Sequence, residues 1–220
     1  MFLGHFAVGF AAKRAVPRAS LGTMIAAACF LDLLWPIFVL AGIEWFRIVP
    51  GETVMTPMAF DHYPWSHSLL VSVVWGILFG AVVAKWGSGA RGAMFAGLAV
   101  VSHWVLDFVT HKPDLPLAPW GGVKVGLGLW DSPGIELPLE LGLYIAGVAL
   151  YATSTKARDK IGSIGLWAFV VTLGLLFAAN LASPPPPGPQ AVAAFGVVSI
   201  LLLGWPMWVD RHRVVRAKST

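Results

Sequence analysis

Charge is what this chain has least of. Of its 220 residues only 12% are Asp, Glu, Lys or Arg, against 57% hydrophobic. A soluble domain carries about 25% charge. So few charged side chains cannot cover a water-facing surface, which excludes a soluble fold. Cysteine is nearly missing too. Cys29 alone allows no disulfide framework and no thiolate zinc site, and in its apolar run it reads as a small buried hydrophobe. There is no internal repeat, and low complexity is confined to the proline run at 183–189. A cleavable signal peptide is not expected, because Lys13, Arg14 and Arg18 follow the apolar stretch Met1–Ala12 instead of preceding it.

What the chain has is long apolar runs. Six can span roughly 30 Å of hydrocarbon at about 1.5 Å per residue: Leu21–Ile43, Ser66–Trp86, Gly92–His111, Pro133–Thr153, Ile161–Leu181 and Ala191–Val209. The expected fold is an all-α polytopic bundle of about six transmembrane helices, one membrane domain over 1–220. Residues 1–153 carry the site, and 154–220 add two generic spans and a basic tail. The net charge of +4 does not point to nucleic acid, because the basic residues flank the spans. Lys13, Arg14 and Arg18, then Lys85 and Arg91, then Lys156, Arg158 and Lys160, then Arg211, Arg213, Arg216 and Lys218 fall on one side. Arg47, Lys112 and Lys124 fall on the other. Twelve against three predicts a multi-pass inner (cytoplasmic) membrane protein with both termini cytoplasmic.

Two long outer loops, Glu44–Trp65 and Lys112–Ser132, read as lids, binding loops or disordered segments. Trp45, Trp65, Trp120 and Trp130 suit an interfacial belt. The proline run reads as a stiff extended connector.

Ionisable residues inside spans are costly and point to function. Here they cluster in sequence order on the first four spans. Asp32 lies midway along the first. His103 and Asp107 are i,i+4 on the third, so they leave one helix face. Glu136 and Glu140 have the same spacing on the fourth, while His62, His67 and His111 sit near outer ends. The fifth and sixth spans carry none. Asp32 and His103 lie roughly 16 Å deep and Glu140 roughly 10 Å from the outer side. His5 joins them if Met1–Ala12 forms a half-helix re-entering the bundle, a course allowed only when buried in protein.

Imidazoles with carboxylates suit zinc, iron, nickel or manganese. His62-Tyr-Pro-Trp-Ser-His67 places two imidazoles at a loop-to-helix junction, where Pro64 breaks the chain and Ser66 is able to cap the next helix. Blander roles compete for several positions: Asp32 as a cap at a kink before Pro36, Glu136 as a helix-dipole carboxylate, and His111 as an interfacial residue. Asp61 and Asp114 read as solvated, Asp131 as a helix cap, and His212 as a surface residue.

The order Gly4-His5, Leu31-Asp32, His62-x4-His67-Ser68 and Ser102-His103-x3-Asp107 resembles the YdjM/YbcI-type membrane-bound metal-dependent hydrolases, a DUF457-like family, over about Met1–Tyr151. Tyr63 and Pro64 stand where that pattern has Arg-Gly, Ser66 where it has Thr, and Asp32 stands alone for Asp-x-Asp. The order His5, Asp32, His67, His103, Asp107, Glu140 is also similar to that of zinc-dependent phospholipase C and related nucleases. The resemblance implies a metal-dependent hydrolase. A divalent metal, zinc foremost, in one or more ions, would be held by His5, Asp32, His67, His103, Asp107 and His111. Glu140 or His62 would be the general base. The substrate would be a phosphoester or ester, in a membrane lipid or a small molecule. No interior Lys or Arg is evident to clamp a phosphate, which counts against a highly anionic substrate. The competing reading is a non-catalytic protein: a metal or proton transporter, or a structural partner.

Overall fold

The computed structural model describes residues 1–216 and is mostly helical. Helix α1 (Leu3–Ala15) is followed by α2 (Leu21–Ala28) and α3 (Phe30–Leu40). A hairpin of β1 (Trp45–Ile48) and β2 (Met58–His62) leads into the single turn α4 (Pro64–His67). Then come α5 (Leu69–Val83) and α6 (Gly89–Thr110), the short pair β3 (Leu115–Pro116) and β4 (Lys124–Val125), and α7 (Pro133–Ser154). Next are β5 (Thr155–Ala157), α8 (Lys160–Ala182), α9 (Pro189–Ser199), α10 (Gly204–Arg211) and β6 (Arg213–Val215).

Among the described residues four helical stretches are long and apolar enough to cross a membrane: Leu69–Thr110, Pro133–Ser154, Lys160–Ala182 and Pro189–Arg211. A fifth exists if α2 and α3, bent by 57°, count as one. The first stretch folds back on itself. Trp86 and Gly87 leave helical geometry and Gly87 and Gly89 take positive φ, a conformation cheap only for glycine. The two arms then meet along small residues. A Cβ on Gly76 would lie 2.8 Å from the Gly97 carbonyl, and one on Gly80 2.7 Å from that of Ala93. Such seams let membrane helices approach closely.

Helix α1 does not lie on the surface. Leu3, Gly4, His5, Ala7, Gly9 and Phe10 are buried, and Gly147 of α7 packs so closely that a Cβ there would overlap the Ala7 main chain. The half-helix thus enters the bundle and carries His5 inward. At its other end Lys13 is not a free topology charge. Its Nζ lies 2.7 Å from Asp210 Oδ2, with side chains 7% and 10% exposed. Asp210, one residue past the expected sixth span, also accepts from Tyr151 Oη at 2.9 Å and Leu21 N–H at 3.1 Å.

Several expectations need correction. The first span is not straight. It bends at Cys29, where the Ala28 carbonyl accepts Nδ1–H of His103 at 2.8 Å. The cap of α5 is Ser68, which accepts from Val71 N–H, not Ser66. Asp131 caps no helix; it accepts from Val54 N–H and ties the two outer loops together. Those loops carry antiparallel pairs and are ordered. Part of the basic tail is a strand: β6 pairs with β5, setting Lys156 opposite Val214 and Ala157 opposite Arg213. His212 is held by Asp159 at 2.6 Å. Lys218 lies outside the described residues. Trp45, Trp65 and Trp120 are exposed, as a belt requires, whereas Trp130 packs on His111 at 4.2 Å.

Candidate metal centre

Five of the named residues meet in one place. The i,i+4 spacing on α6 puts His103 and Asp107 together, with His103 Nε2 3.1 Å from Asp107 Oδ2. The bend at Cys29 turns Asp32, in the first turn of α3, toward them, its Oδ1 3.6 Å from His103 Nε2. The turn α4 brings His67 Nε2 to 3.5 Å from Asp32 Oδ1 and 3.8 Å from Asp107 Oδ2. Helix α1 supplies His5, whose Nε2 lies 3.0 Å from the other Asp107 oxygen, Oδ1. The His5 ring stacks on His103 with centroids 3.6 Å apart and planes within 5°. The Met1 nitrogen lies 2.8 Å from Asp107 Oδ1.

Two sets of three donor atoms lie mutually within 4.8 Å: His5, His103, Asp107, and Asp32, His67, His103. Atoms held tetrahedrally at 2.0–2.1 Å around one ion would sit about 3.3 Å apart. Within the sets, Asp32 Oδ1 lies 3.5 and 3.6 Å from the Nε2 atoms of His67 and His103, and Asp107 lies 3.0 and 3.1 Å from those of His5 and His103, near that spacing, while the two carboxylates belong to different sets. The donor chemistry also fits. The Ala28 carbonyl only accepts, so it fixes a proton of His103 on Nδ1, and in a neutral ring this leaves Nε2 bare. That buried Nε2 has no hydrogen-bond partner. A bare imidazole nitrogen beside two carboxylate oxygens is repulsive unless a metal ion or a proton lies among them. Nδ1–H on a carbonyl is also the usual support of a metal-bound histidine.

Access is one-sided. His5, His67, His103 and Asp107 side chains are at most 5% exposed, while that of Asp32 is 50% exposed. A ligand approaches on the Asp32 side.

The remaining named residues go elsewhere. His62 is the last residue of β2, opposite Trp45, and its ring stacks on that indole at 4.1 Å. Its chain direction changes at Pro64, so the two imidazoles of the junction diverge. His111 leaves α6 at its C-cap and donates from Nδ1 to Asp114 Oδ1 at 2.9 Å. Asp114, expected to be solvated, is buried and accepts from Tyr63 Oη on the same oxygen at 3.0 Å. Burial and the Asp114 carboxylate push the Tyr63 phenol well above its ordinary pKa. Asp61 is the surface residue expected, paired with Arg47 at 2.8 Å. Glu140 is buried and accepts from Gly4 N–H at 3.3 Å, one residue from His5, but belongs to neither donor set. Glu136, one turn away, stands in the first turn of α7 as the dipole reading requires, fully buried and with both oxygens unpartnered.

Sequence reasoning missed Glu44. Its Oε1 accepts N–H from Trp65 and Ser66, both at 2.8 Å, and its Oε2 lies 2.6 Å from Ser66 Oγ. Ser66 Oγ is in turn 2.7 Å from His67 Nδ1. Nothing local marks a Glu at the start of a loop as the support of a residue about twenty positions on.

No family model, curated protein or solved structure matches the chain.

Proposed function

We propose that this chain is an integral-membrane metal-dependent hydrolase acting on a phosphoester or ester bond, such as that of a lipid headgroup. The observation that carries the reading is the convergence of three histidines and two carboxylates in two donor sets that share His103, able to hold a zinc-like ion. When bound, such an ion lowers the pKa of a coordinated water to about 7 and polarises a phosphoryl or acyl oxygen. Asp107 would offer Oδ2 to this ion while Oδ1 holds His5. Asp32, the exposed carboxylate, is the group best placed to take a proton from an approaching water. Glu140 accepts from Gly4 N–H and His62 stacks on Trp45, and neither joins a donor set, so we assign the base role to Asp32 in their place. Among the described residues no Lys or Arg pairs with Asp32 or Asp107, which favours an ester or singly charged phosphodiester over a highly anionic substrate.

In this reading the hairpin of α5 and α6 makes two passes and the bent pair α2–α3 one, giving six. The Lys13–Arg18 loop, Lys156–Arg158 and the β6 strand then lie at the cytoplasmic face of the inner membrane, and the β1–β2 and β3–β4 hairpins lie outside.

The test is metal content by mass spectrometry on detergent-purified wild type beside His103→Ala and Asp107→Ala. Stoichiometric metal in the wild type, absent from both folded variants, supports the reading and directs hydrolysis assays to phosphodiester and ester lipids in vesicles. A wild type that holds no metal after reloading overturns it. That outcome would favour a non-catalytic polar relay, for which the buried run Asp107, His5, Glu140 and Glu136 is the supporting observation.

A further inference from the structure

We infer that Glu44 and Ser66 are positioning residues that set the tautomer of His67 and so hold its Nε2 ready as a metal donor. This rests on the metal-centre reading, but its basis is a separate set of contacts. Glu44 and Ser66 are 1% and 0% exposed, so water is not an alternative partner for either. The Trp65 and Ser66 main-chain N–H groups donate to Glu44 Oε1. As a carboxylate Glu44 only accepts, so the proton in its 2.6 Å contact with Ser66 Oγ comes from the serine. That length is typical of a hydroxyl on a carboxylate.

The hydroxyl has one proton, and it is committed to Glu44. The 2.7 Å contact between Ser66 Oγ and His67 Nδ1 is then a hydrogen bond only if Nδ1 carries hydrogen. In a neutral imidazole this leaves Nε2 bare. Nε2 is the atom that faces Asp32 Oδ1 and Asp107 Oδ2. The Glu44–Ser66 pair thus does for His67 what the Ala28 carbonyl does for His103. Both donors of the centre are oriented from outside it, one by a helix bend and one by the loop that follows α3. Carboxylate support of this kind fixes ring orientation and raises ligand basicity.

Three variants separate positioning from mere packing. Ser66→Ala removes the relay. Ser66→Thr keeps its hydroxyl. Glu44→Gln keeps an oxygen for the Trp65 and Ser66 N–H groups, but its amide donates to Ser66 Oγ, which turns the serine proton toward His67 Nδ1 and moves hydrogen to Nε2. Zinc affinity of the full chain in detergent, by chelator competition, should fall roughly 10–100-fold in Ser66→Ala and Glu44→Gln, with Ser66→Thr close to wild type. Wild-type affinity in Glu44→Gln and Ser66→Ala overturns the inference. If Ser66→Ala does not fold, Glu44→Gln and Ser66→Thr decide. Nitrogen-15 NMR of His67 in the zinc-free wild type is the independent readout, assigned with His67→Ala. Measured at a pH where the ring is neutral, hydrogen on Nδ1 alone supports the relay and hydrogen on Nε2 alone overturns it, even if the protein binds no zinc and the metal reading itself has failed.

Discussion

Replacing Asp107 by Asn should abolish most of the stabilisation that zinc confers. Asp107 is 4% exposed, and its oxygens face three imidazoles, at 3.0 Å from His5, 3.1 Å from His103 and 3.8 Å from His67. The amide keeps the shape, removes the charge and turns an N–H₂ toward one of these groups. Breaking a buried charge contact by truncating one partner costs about 3–5 kcal/mol. At about 1.4 kcal/mol per tenfold, that weakens zinc binding at least a hundredfold. Zinc at 100 times the wild-type Kd adds about 2.7 kcal/mol of stability to the wild type, and about 0.4 kcal/mol or less to the variant. For a chain of this length about 1 kcal/mol moves Tm by roughly 2–4 °C. The wild type should therefore gain about 5–11 °C on adding zinc, and Asp107→Asn about 2 °C or less. The assay is thermal unfolding in detergent, with chelator and with zinc, alongside His62→Ala as a control that keeps the full shift. An equal zinc shift in wild type and Asp107→Asn would refute the reasoning, as would its loss in His62→Ala.

Asp210→Ala should destabilise the chain by about 3–5 kcal/mol, because it strands the buried Lys13 ammonium. Lys13→Met with Asp210→Leu should recover most of that loss in an SDS unfolding titration; an Asp210→Ala variant as stable as wild type would contradict the pair's importance. Gly76→Leu should cost about 1–3 kcal/mol by forcing α5 off the Gly97 carbonyl, whereas Gly174→Leu, with open space around it, should be neutral in the same titration. The Arg47 guanidinium holds the Asp61 carboxyl below the usual carboxylate range. A depressed folded pKa contributes stability above the unfolded value and loses it as pH falls through the folded one. Amide exchange in β1–β2 should therefore speed up slightly on acidification below about pH 4, and Arg47→Gln should remove that component.

Much of the centre was legible because it is written in helical spacing. His103 and Asp107 share a face at any i,i+4 separation, and depth along apolar runs placed Asp32 level with them. The polar silence of the fifth span was equally plain, and α8 contributes no ligand. His62 was misplaced because five residues can be read as one junction only if the backbone holds its course, and the strand-to-turn change at Pro64 sends the two imidazoles apart. Asp114 looked solvated because burial of a loop carboxylate depends on the Tyr63 and His111 side chains that fold over it.

Composition and charge asymmetry by themselves determined that the chain is a helical membrane protein, since too few polar groups exist to face water and hydrocarbon tolerates only backbone that satisfies itself. They also determined which residues were too costly to bury without purpose. Only the tertiary structure decided which of those meet. The burial of α1, the bend at Cys29 and the reach of Glu44 to Ser66 each join residues more than twenty positions apart, and no local periodicity encodes a contact made by packing.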